Sequence, residues 1–227
     1  TKGGGHGDYH SIVLAPASIQ ECYDLMPLAF DLADKYRTPV MILGDGLIGQ
    51  MMEPLKIKNE KLKIKNYEKD WALTGCKGRK PNIIRSLYLG QGALEAVNLR
   101  MQERYKEILK EEQRAEAIRL DDCDFVLVAY GTMGRIAKSA MLKLRKQGFK
   151  TGLIRPITLW PFPSEILAKA AKSAKAFLVT EMSHGQMVED VKLAAEAKVP
   201  VHFLGRAGGE IPSEEEIIKK VEAISKK

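Results

Sequence analysis

The chain has 227 residues, of which 45% are hydrophobic, and its 36 Lys and Arg exceed its 29 Asp and Glu to give a formal net charge of +7. This length and composition allow one large or two modest domains with a sizeable buried core. The sequence shows neither a run of about eighteen apolar residues nor an N-terminal signal pattern, so it argues against a membrane or secreted protein. We therefore expect a cytoplasmic protein.

The chain opens in a glycine-rich loop whose polar side chains are candidates for ligand contact. His6 and Asp8 alternate with Gly5 and Gly7, and glycines allow a loop to approach a ligand closely. The alternative is a glycine turn in which Asp8 caps its own backbone. The residues alone leave both interpretations open.

The next 50 residues predict part of a parallel α/β fold. A strand is expected at residues 11–14, and Ser18 with Glu21 forms a capping box that opens a helix ending at Tyr36. The expected apolar face of this helix consists of Cys22, Leu25, Met26, Ala29, Phe30 and Ala33. Residues 39–43 predict a second, buried strand. Two strands and one helix cannot cover a parallel sheet, so we expect preceding residues or another chain to complete it.

The middle of the chain is strongly basic. Residues 56–80 carry nine Lys or Arg against three Asp or Glu. The alternation of apolar residues and Lys at 55–58 and 62–65 predicts two exposed edge strands or a hairpin. A nucleic-acid groove is disfavoured because few aromatic residues accompany the lysines. Residues 92–121 predict a surface helix bridging the two halves, with apolar positions Leu94, Val97, Met101, Tyr105 and Ile108.

From residue 122 onward, strand and helix signals alternate four times, which predicts a parallel sheet covered on both faces. Strands are expected at residues 124–130, 151–154, 176–181 and 199–204, with helices at 135–147, 164–173, 186–197 and after 213. Ser164 and Ser213 are the expected N-caps of two helices, and Glu216 completes a capping box at the second. Gly148 is expected to end the first helix as a C′ glycine.

Three prolines fix the backbone that follows the second of these strands. They are Pro156, Pro161 and Pro163. Because proline restricts φ, Arg155 and Trp160 are displayed with little freedom to lose, which suits a partner or a ligand. In the equally favoured alternative, Trp160 and Phe162 fill the core of their own domain.

Other polar residues stand at strand ends of the same sheet. Thr132 and Arg135 begin a helix, where backbone amides and a guanidinium can hold a phosphate or a carboxylate. Arg155, Glu181 and Gln186 occupy equivalent ends, on the ligand side of an open parallel sheet. The three cysteines lie far apart without a CxxC pair, so this chain is not expected to ligate an iron–sulfur cluster or another metal.

Several motifs together resemble a known family. They are GHGD at 5–8, IVLAPASIQE at 12–21, AFDLA at 29–33, PVMIL at 39–43, AYGT at 129–132, the proline-rich run at 152–163, GQMVEDV at 185–191 and the glycines of 205–209. This set is similar to the α subunit of 2-oxoacid:ferredoxin oxidoreductases. The resemblance implies a partial thiamine-diphosphate pyrimidine-type domain at 1–55, a basic linker and bridging helix at 56–121, and a transketolase-C-terminal-like domain at 122–227.

The resemblance also implies an activity and partners. It implies a thiamine-diphosphate enzyme that decarboxylates a 2-oxoacid, either 2-oxoglutarate or a branched one, reduces ferredoxin and forms an acyl group on coenzyme A. A β subunit is expected to hold the diphosphate through Mg²⁺, and the iron–sulfur clusters are expected in partner subunits. The loop formed by Gly5, His6, Gly7 and Asp8 is expected beside the shared thiamine.

The family's activating glutamate belongs to a half-domain that no stretch of this sequence matches. The resemblance therefore implies that preceding residues carry it and that the isolated chain is inactive. Because the family's C-terminal domain serves largely in assembly, we favour subunit contacts or internal pairing for Thr132, Arg135, Arg155, Glu181 and Gln186. A non-catalytic scaffold subunit remains the main alternative. A nucleotide-binding oxidoreductase is less favoured because residues 131–134 lack the middle glycine of GxGxxG.

Overall fold

A computed structural model describes residues 3, 5–57 and 67–226, and over these residues the chain forms two mostly parallel sheets. The first sheet has the order β2-β1-β6. Its strands are β1 (Ile12–Leu14), β2 (Val40–Ile42) and β6 (Thr158–Trp160). Strand β2 is parallel to β1, whereas β6 is antiparallel. Helices α1 (Ile19–Tyr36) and α2 (Ala93–Glu111) contribute to the core beside β1.

The second sheet has the order β3-β5-β4-β7-β8, in which β3 alone is antiparallel to its neighbour. Its strands are β3 (Ala115–Ile118), β4 (Phe125–Val128), β5 (Thr151–Pro156), β7 (Ala176–Glu181) and β8 (Val201–Gly205). Its helices are α3 (Gly131–Lys146), α4 (Ser164–Ala170), α5 (Met187–Ala195) and α6 (Glu214–Ser225). Helix α3 packs beside α6 and α4 beside α5. The predicted alternation of strands and helices is confirmed.

The central strands are apolar at consecutive positions because both faces of the second sheet are covered. Val126 and Val128 of β4 enter one core cluster, whereas Leu127 enters a second one. In β7, Phe177 and Leu178 divide between the same two clusters. A strand with helices on both faces has no polar side, which explains the uninterrupted hydrophobic runs in the sequence.

The proline-rich segment belongs to both sheets. Strand β5 ends at Pro156 in the second sheet, and β6 begins two residues later in the first. The Ala15 N–H donates to the Ile157 carbonyl at 2.7 Å, and Val13 lies opposite Trp160. Sheet pairing therefore fixes this segment as firmly as the prolines do.

Trp160 is 5% exposed and packs among aromatic rings of the first unit. Its ring stacks on His10 with centroids 4.9 Å apart and meets Tyr105 edge-on at 5.5 Å. Phe162 is buried in a core cluster of the second sheet. Phe162 thus fills the core of its own unit, as the alternative interpretation proposed, whereas Trp160 packs against the neighbouring unit, within the core of that unit.

The predicted bridging helix is too long. It ends at Glu111, and residues Ala115–Ile118 form β3 antiparallel to β5. The short sequence AEAI carries a weak strand signal. In the structure, Glu116 lies directly opposite Arg155 and forms an ion pair with it, so tertiary pairing defines this edge strand.

Two of the predicted helix caps differ from expectation. Ser18 Oγ accepts the Glu21 N–H at 3.1 Å, but the Glu21 carboxylate accepts from Ala17 N–H at 2.7 Å instead of completing the box on Ser18. Pro163, not Ser164, occupies the N-cap position of α4, and no side-chain hydrogen bond is made there. At α6 the complete capping box of Ser213 and Glu216 is confirmed.

The first unit is more open than its sequence predicts. The residues of α1 that are buried are Leu25, Ala29, Leu32 and Tyr36, whereas Met26 and Phe30 of the predicted apolar face are 49% and 57% exposed. Strand β2 is only partly buried, with Met41 43% exposed. The predicted Lys-rich strands find no support at residues 51–57, which form no strand, and residues 58–66 lie outside the described part. No helix in the described part is long and apolar enough to cross a membrane.

Replacing Trp160 by Ala is expected to lower the free energy of unfolding by about 3–5 kcal/mol, since truncating a buried aromatic residue leaves a cavity. Trp71, the other tryptophan, is only partly buried and serves as the matched control. Urea denaturation followed by circular dichroism measures both variants. A Trp160→Ala protein as stable as Trp71→Ala would place Trp160 outside the core.

Candidate functional site

The two units meet where the carboxyl end of β2 faces the start of α3. Asp45 follows β2, and its carboxylate accepts from the Thr132 backbone N–H at 2.7 Å and from Thr132 Oγ1 at 2.8 Å. It also accepts the N–H groups of Leu47 and Ile48 at 3.1 and 3.0 Å. The N-cap residue of α3, Tyr130, makes no side-chain cap. A carboxylate from the first unit thus caps a helix of the second.

Gly131 makes this close approach possible. It adopts φ +58°, and a Cβ atom at this position would lie 2.6 Å from Asp45 Oδ2. Any side chain would therefore be strained in its own backbone conformation and would collide with the capping carboxylate.

Arg155 is the charged centre of the same junction and is 8% exposed. Its Nη1 and Nη2 donate to the two carboxylate oxygens of Glu21 at 3.0 and 2.9 Å, and its Nε donates to Glu116 at 2.7 Å. Gly134 leaves room for its stem, since a Cβ there would lie 2.7 Å from Arg155 Cδ. Arg155 therefore joins α1 of the first unit to β3 and β5.

Burial and ion pairing shift the pKa values of this ion cluster in opposite directions, and the effect of ion pairing is the larger one. Burial alone would lower the pKa of Arg155, but hydrogen bonds to Glu21 and Glu116 raise it above its ordinary value. For Glu116, burial acts to raise the pKa, and the hydrogen bonds from Arg155 and Lys138 outweigh it and lower the pKa below 4.5. Arg155 and Glu116 are thus both charged at neutral pH.

Arg135 forms a second contact between the units. Its Nη1 lies 2.6 Å from Glu53 Oε1, while Glu53 Oε2 accepts the Ile19 N–H at the start of α1. That backbone hydrogen bond, followed by the one from Arg135, lowers the pKa of Glu53. Two of the residues predicted to bind anions, Thr132 and Arg135, therefore contact carboxylates of this chain.

Glu181 has the same role within the second unit. It is 2% exposed and accepts from the backbone N–H groups of Gln186, Met187 and Val188 at 3.0, 3.0 and 2.9 Å. Ser183 Oγ donates to it at 2.9 Å. The start of α5 is thereby capped by the end of β7. Gln186 is the N-cap residue of α5, and its side chain is exposed.

A cleft of about 460 Å³ lies between the ends of β4 and β7. The chain runs from β4 to β5 toward one edge of the sheet and from β7 to β8 toward the other, so the strand order reverses between β4 and β7. Ligands usually bind at such a reversal point in open parallel sheets. Its lining combines Tyr130, Leu159, Phe162 and Met187 with Gly3, Gly185, Gln186, Glu189 and Asp190. Burial, followed by the charges of Glu181 and Asp45, raises the pKa of Tyr130, which keeps its hydroxyl protonated as a hydrogen-bond donor.

The loop at Gly5, His6, Gly7 and Asp8 lies apart from the junction. All four residues are exposed, Gly7 has φ +105°, and the Gln102 side chain donates to the Asp8 carbonyl at 3.2 Å. Gly3 lines the cleft, so the loop begins within two residues of it. Apart from Trp160, the predicted residues thus form three groups, which are Thr132, Arg135 and Arg155 at the junction, Glu181 and Gln186 at the start of α5, and this loop before β1.

Sequence reasoning missed Asp45, Glu53 and Tyr130. Asp45 had a detectable signal, because a carboxylate between two glycines at the end of a strand is well placed to cap a helix. Glu53 gave no such signal. Among the described residues, no group of three His, Cys, Asp or Glu side chains is arranged to hold a metal ion.

Two family descriptions match the chain in tandem. Residues 6–119, half of the chain, match "Pyruvate flavodoxin/ferredoxin oxidoreductase, thiamine diP-bdg", and residues 123–217 match "Pyruvate:ferredoxin oxidoreductase core domain II". The chain belongs to the 2-oxoacid:ferredoxin oxidoreductase family. The resemblance inferred from the motifs is thereby confirmed, as is the order of a thiamine-binding unit followed by core domain II.

Curated relatives carry names from the same family. Ketoisovalerate oxidoreductase subunit VorB of Methanothermobacter marburgensis is 43% identical over 99% of this chain and 63% of its own length. The 2-oxoglutarate synthase subunit KorA of the same organism is 30% identical over 96% of this chain and 65% of its own length. The chain thus spans just under two thirds of these relatives.

A solved structure has the same fold. It is the 2-oxoglutarate:ferredoxin oxidoreductase from Magnetococcus marinus with 2-oxoglutarate, coenzyme A and succinyl-CoA bound, superposed with a TM-score of 0.72. The match covers 96% of this chain and 43% of that chain at 19% identity.

The Asp45 cap predicts an unequal response to two Gly→Ala substitutions. Gly131→Ala should cost at least about 2 kcal/mol of unfolding free energy, because it combines backbone strain with the clash against Asp45. Gly148→Ala is the control, since Gly148 has φ +90° and nothing within 4 Å of its Cβ position. Urea denaturation of both variants, repeated in an Asp45→Ala background, separates the cost of backbone strain from the cost of the clash with Asp45. Equal losses in both glycine variants would contradict the close approach of Asp45.

The Arg155 cluster predicts a pH dependence. Because the pKa of Glu116 is depressed, its stabilising contribution is present above about pH 4.5 and is lost as pH falls through the folded-state value. Arg155→Met should cost about 3 kcal/mol at pH 7, since it removes the guanidinium partner of Glu21 and leaves Glu116 with Lys138 alone, and should flatten the acid-side decline. The exposed pair of Lys106 and Glu103 supplies the control, for which Lys106→Met should cost about 0–1 kcal/mol. Stability measured from pH 3 to 7 tests this, and an unchanged acid limb in Arg155→Met would refute it.

Proposed function

We propose that this chain is part of the α-type subunit of a thiamine-diphosphate-dependent 2-oxoacid:ferredoxin oxidoreductase. The enzyme would decarboxylate a 2-oxoacid, pass its electrons to ferredoxin and transfer the acyl group to coenzyme A. The tandem match to a thiamine-binding unit and core domain II carries this proposal. Support also comes from the way β6, Asp45 and Arg155 join the two units into one body.

The loop before β1 fits the edge of a cofactor site. His6 and Asp8 offer an imidazole and a carboxylate that are exposed on a loop with a positive-φ glycine, and these groups suit polar contacts to an aminopyrimidine. In this proposal the loop holds and orients the pyrimidine side of the cofactor. When bound, thiamine diphosphate supplies the nucleophilic carbon and the electron sink for decarboxylation.

The buried glutamates of this chain suit structural tasks. Glu181 caps α5, and Glu112 accepts from Tyr36 Oη at 2.8 Å and from Lys35 Nζ at 3.0 Å. Both carboxylates are thus engaged by their own chain. We therefore place the glutamate that activates the cofactor elsewhere in the assembled enzyme.

Partner subunits complete the proposed enzyme. The curated relatives are each named as a subunit of an oxidoreductase or synthase. We assign the diphosphate and its Mg²⁺ to a β-type partner, and the iron–sulfur clusters to partner subunits. The cysteines here are Cys22, Cys76 and Cys123, which differ in burial and lie far apart in sequence.

A branched-chain 2-oxoacid is the favoured substrate class. The relative named for ketoisovalerate is 43% identical, against 30% for the one named for 2-oxoglutarate. A faster 2-oxoacid-dependent reduction with ketoisovalerate than with 2-oxoglutarate is expected of the assembled enzyme.

An assembly role for the second unit is the second candidate function, and it is compatible with the first. The helix starts that usually bind anions, those of α3 and α5, are capped by Asp45 and Glu181. Arg135 and Arg155 are paired with Glu53 and Glu21. Because these groups are already paired within the chain, they favour a structural role in which the second unit orients the first unit.

In the assembled enzyme, His6→Ala or Asp8→Ala should lower 2-oxoacid-dependent reduction of an electron acceptor by about tenfold or more while leaving assembly intact, because each removes a positioned polar contact. Asp121→Ala, an exposed aspartate of the second unit, is the matched control. Rates are compared at saturating thiamine diphosphate, and the isolated chain should show no activity. Wild-type rates in both loop variants would remove the loop from the active site.

A further inference from the structure

Residues 67–92, here called the strap, form a long segment without helix or strand. The base of the strap is fixed on the C-terminal end of α1, where Lys69 Nζ lies 2.8 Å from Asp34 and the Arg37 guanidinium covers the Trp71 ring at 4.8 Å. The Asn82 side chain donates to the carbonyls of Asp70 and Ala72 at 2.6 and 3.1 Å. Irregular segments of this length are uncommon in compact proteins and are usually either functional or linkers.

The strap directs large apolar side chains into solvent. They are Leu73, Ile83, Ile84, Leu87 and Leu89, with exposed fractions of 70%, 76%, 55%, 67% and 85%. Single exposed apolar residues are common, but five within seventeen positions of one segment are a concentration that favours an interaction site. The side chains of Arg79 and Asn82 tie the base of the strap to the carbonyls of Asp70 and Ala72, so this part of the backbone is held in place before binding.

The charge of the strap indicates the character of the surface it fits. The strap contains five basic residues, which are Lys69, Lys77, Arg79, Lys80 and Arg85. Its two acidic residues, Glu68 and Asp70, lie at its base, and residues 71–92 contain none. Exposed basic residues interspersed with exposed apolar ones match a partner surface that combines apolar and acidic side chains.

We propose that the strap is the docking surface for a partner subunit of the same enzyme, which receives it on a surface that combines apolar and acidic side chains. This inference rests on the proposed function, because the need for a partner subunit comes from there. A second copy of this chain is a poorer electrostatic match, since the chain carries a net charge of +7.

A single-stranded nucleic acid also fits the strap less well than an acidic protein does. Such ligands stack their bases on open aromatic faces. Here the ring of Trp71 is covered by Arg37, and the ring of Tyr88 lies under the Arg85 guanidinium at 5.2 Å. Leucine and isoleucine side chains instead fit the fully desolvated centre of a protein interface.

The test uses the full-length protein co-expressed with its partner subunits. Leu87→Ser/Leu89→Ser is compared with Leu142→Ser/Leu193→Ser, whose leucines are 50% and 75% exposed on α3 and α5. Lys77→Glu/Lys80→Glu is compared with Lys219→Glu/Lys220→Glu, exposed lysines of α6. Affinity between the purified chain and its partner is measured by biolayer interferometry, with circular dichroism showing that each variant folds.

Both strap variants should weaken partner binding at least tenfold, and the charge-reversed one should also lose salt dependence, while both controls bind as wild type does. Wild-type affinity in the strap variants would overturn the inference. It would also be overturned if these substitutions abolished only self-association in sedimentation, or only lysine-dependent binding of a fluorescent 20-nucleotide single strand. A complex that assembles through the strap but reduces no acceptor with any 2-oxoacid would defeat the proposed function and leave the docking surface standing.

Discussion

The organisation of this molecule depends on one short stretch of chain that belongs to two sheets. Strand β5 runs through the second sheet to Pro156, and β6 then pairs antiparallel with β1 in the first. No linker separates the two pairings, so the units cannot rotate freely without breaking sheet hydrogen bonds. Trp160 and Arg155, on either side of this crossing, add aromatic packing and ion pairs that hold the same geometry. The charged cluster, the helix caps and the cleft all lie around it.

Carboxylates close the positions that an open parallel sheet normally offers to ligands. The starts of α3 and α5 each present free backbone amides and the positive end of a helix dipole. Asp45 occupies the first from the neighbouring unit, and Glu181 occupies the second from the end of β7. The cleft between the ends of β4 and β7 nevertheless remains open at the switch point of the sheet, and Gly3, two residues before the loop of Gly5 to Asp8, lines it.

Elements with strong local signals could be predicted from the sequence, and elements created by tertiary contacts could not. The hydrophobic runs at β4 and β7 and the capping box at Ser213 are local, and all three were predicted. Strand β3 has a weak pattern and depends on the pairing of Glu116 with Arg155 across the sheet. Glu21 is a second example of a tertiary contact that the sequence does not predict. Its carboxylate accepts a hydrogen bond from Arg155, 134 positions away in sequence, and does not complete the predicted capping box. For the site, residue types at strand ends were predictable, but their partners depend on how the two units dock.

Polar groups at the junction between the two units are paired within the chain, whereas two outward surfaces expose side chains to solvent. At the junction, each guanidinium and helix start described above has a carboxylate partner, so little charge is left there for a substrate. The loop with His6 and Asp8 and the strap with Leu87 and Leu89 instead expose their side chains. Both surfaces belong to the first unit, whose contacts with the second unit are made elsewhere, at Asp45 and Arg155. In the enzyme proposed above, these are therefore the surfaces that would be available to a cofactor and to another subunit.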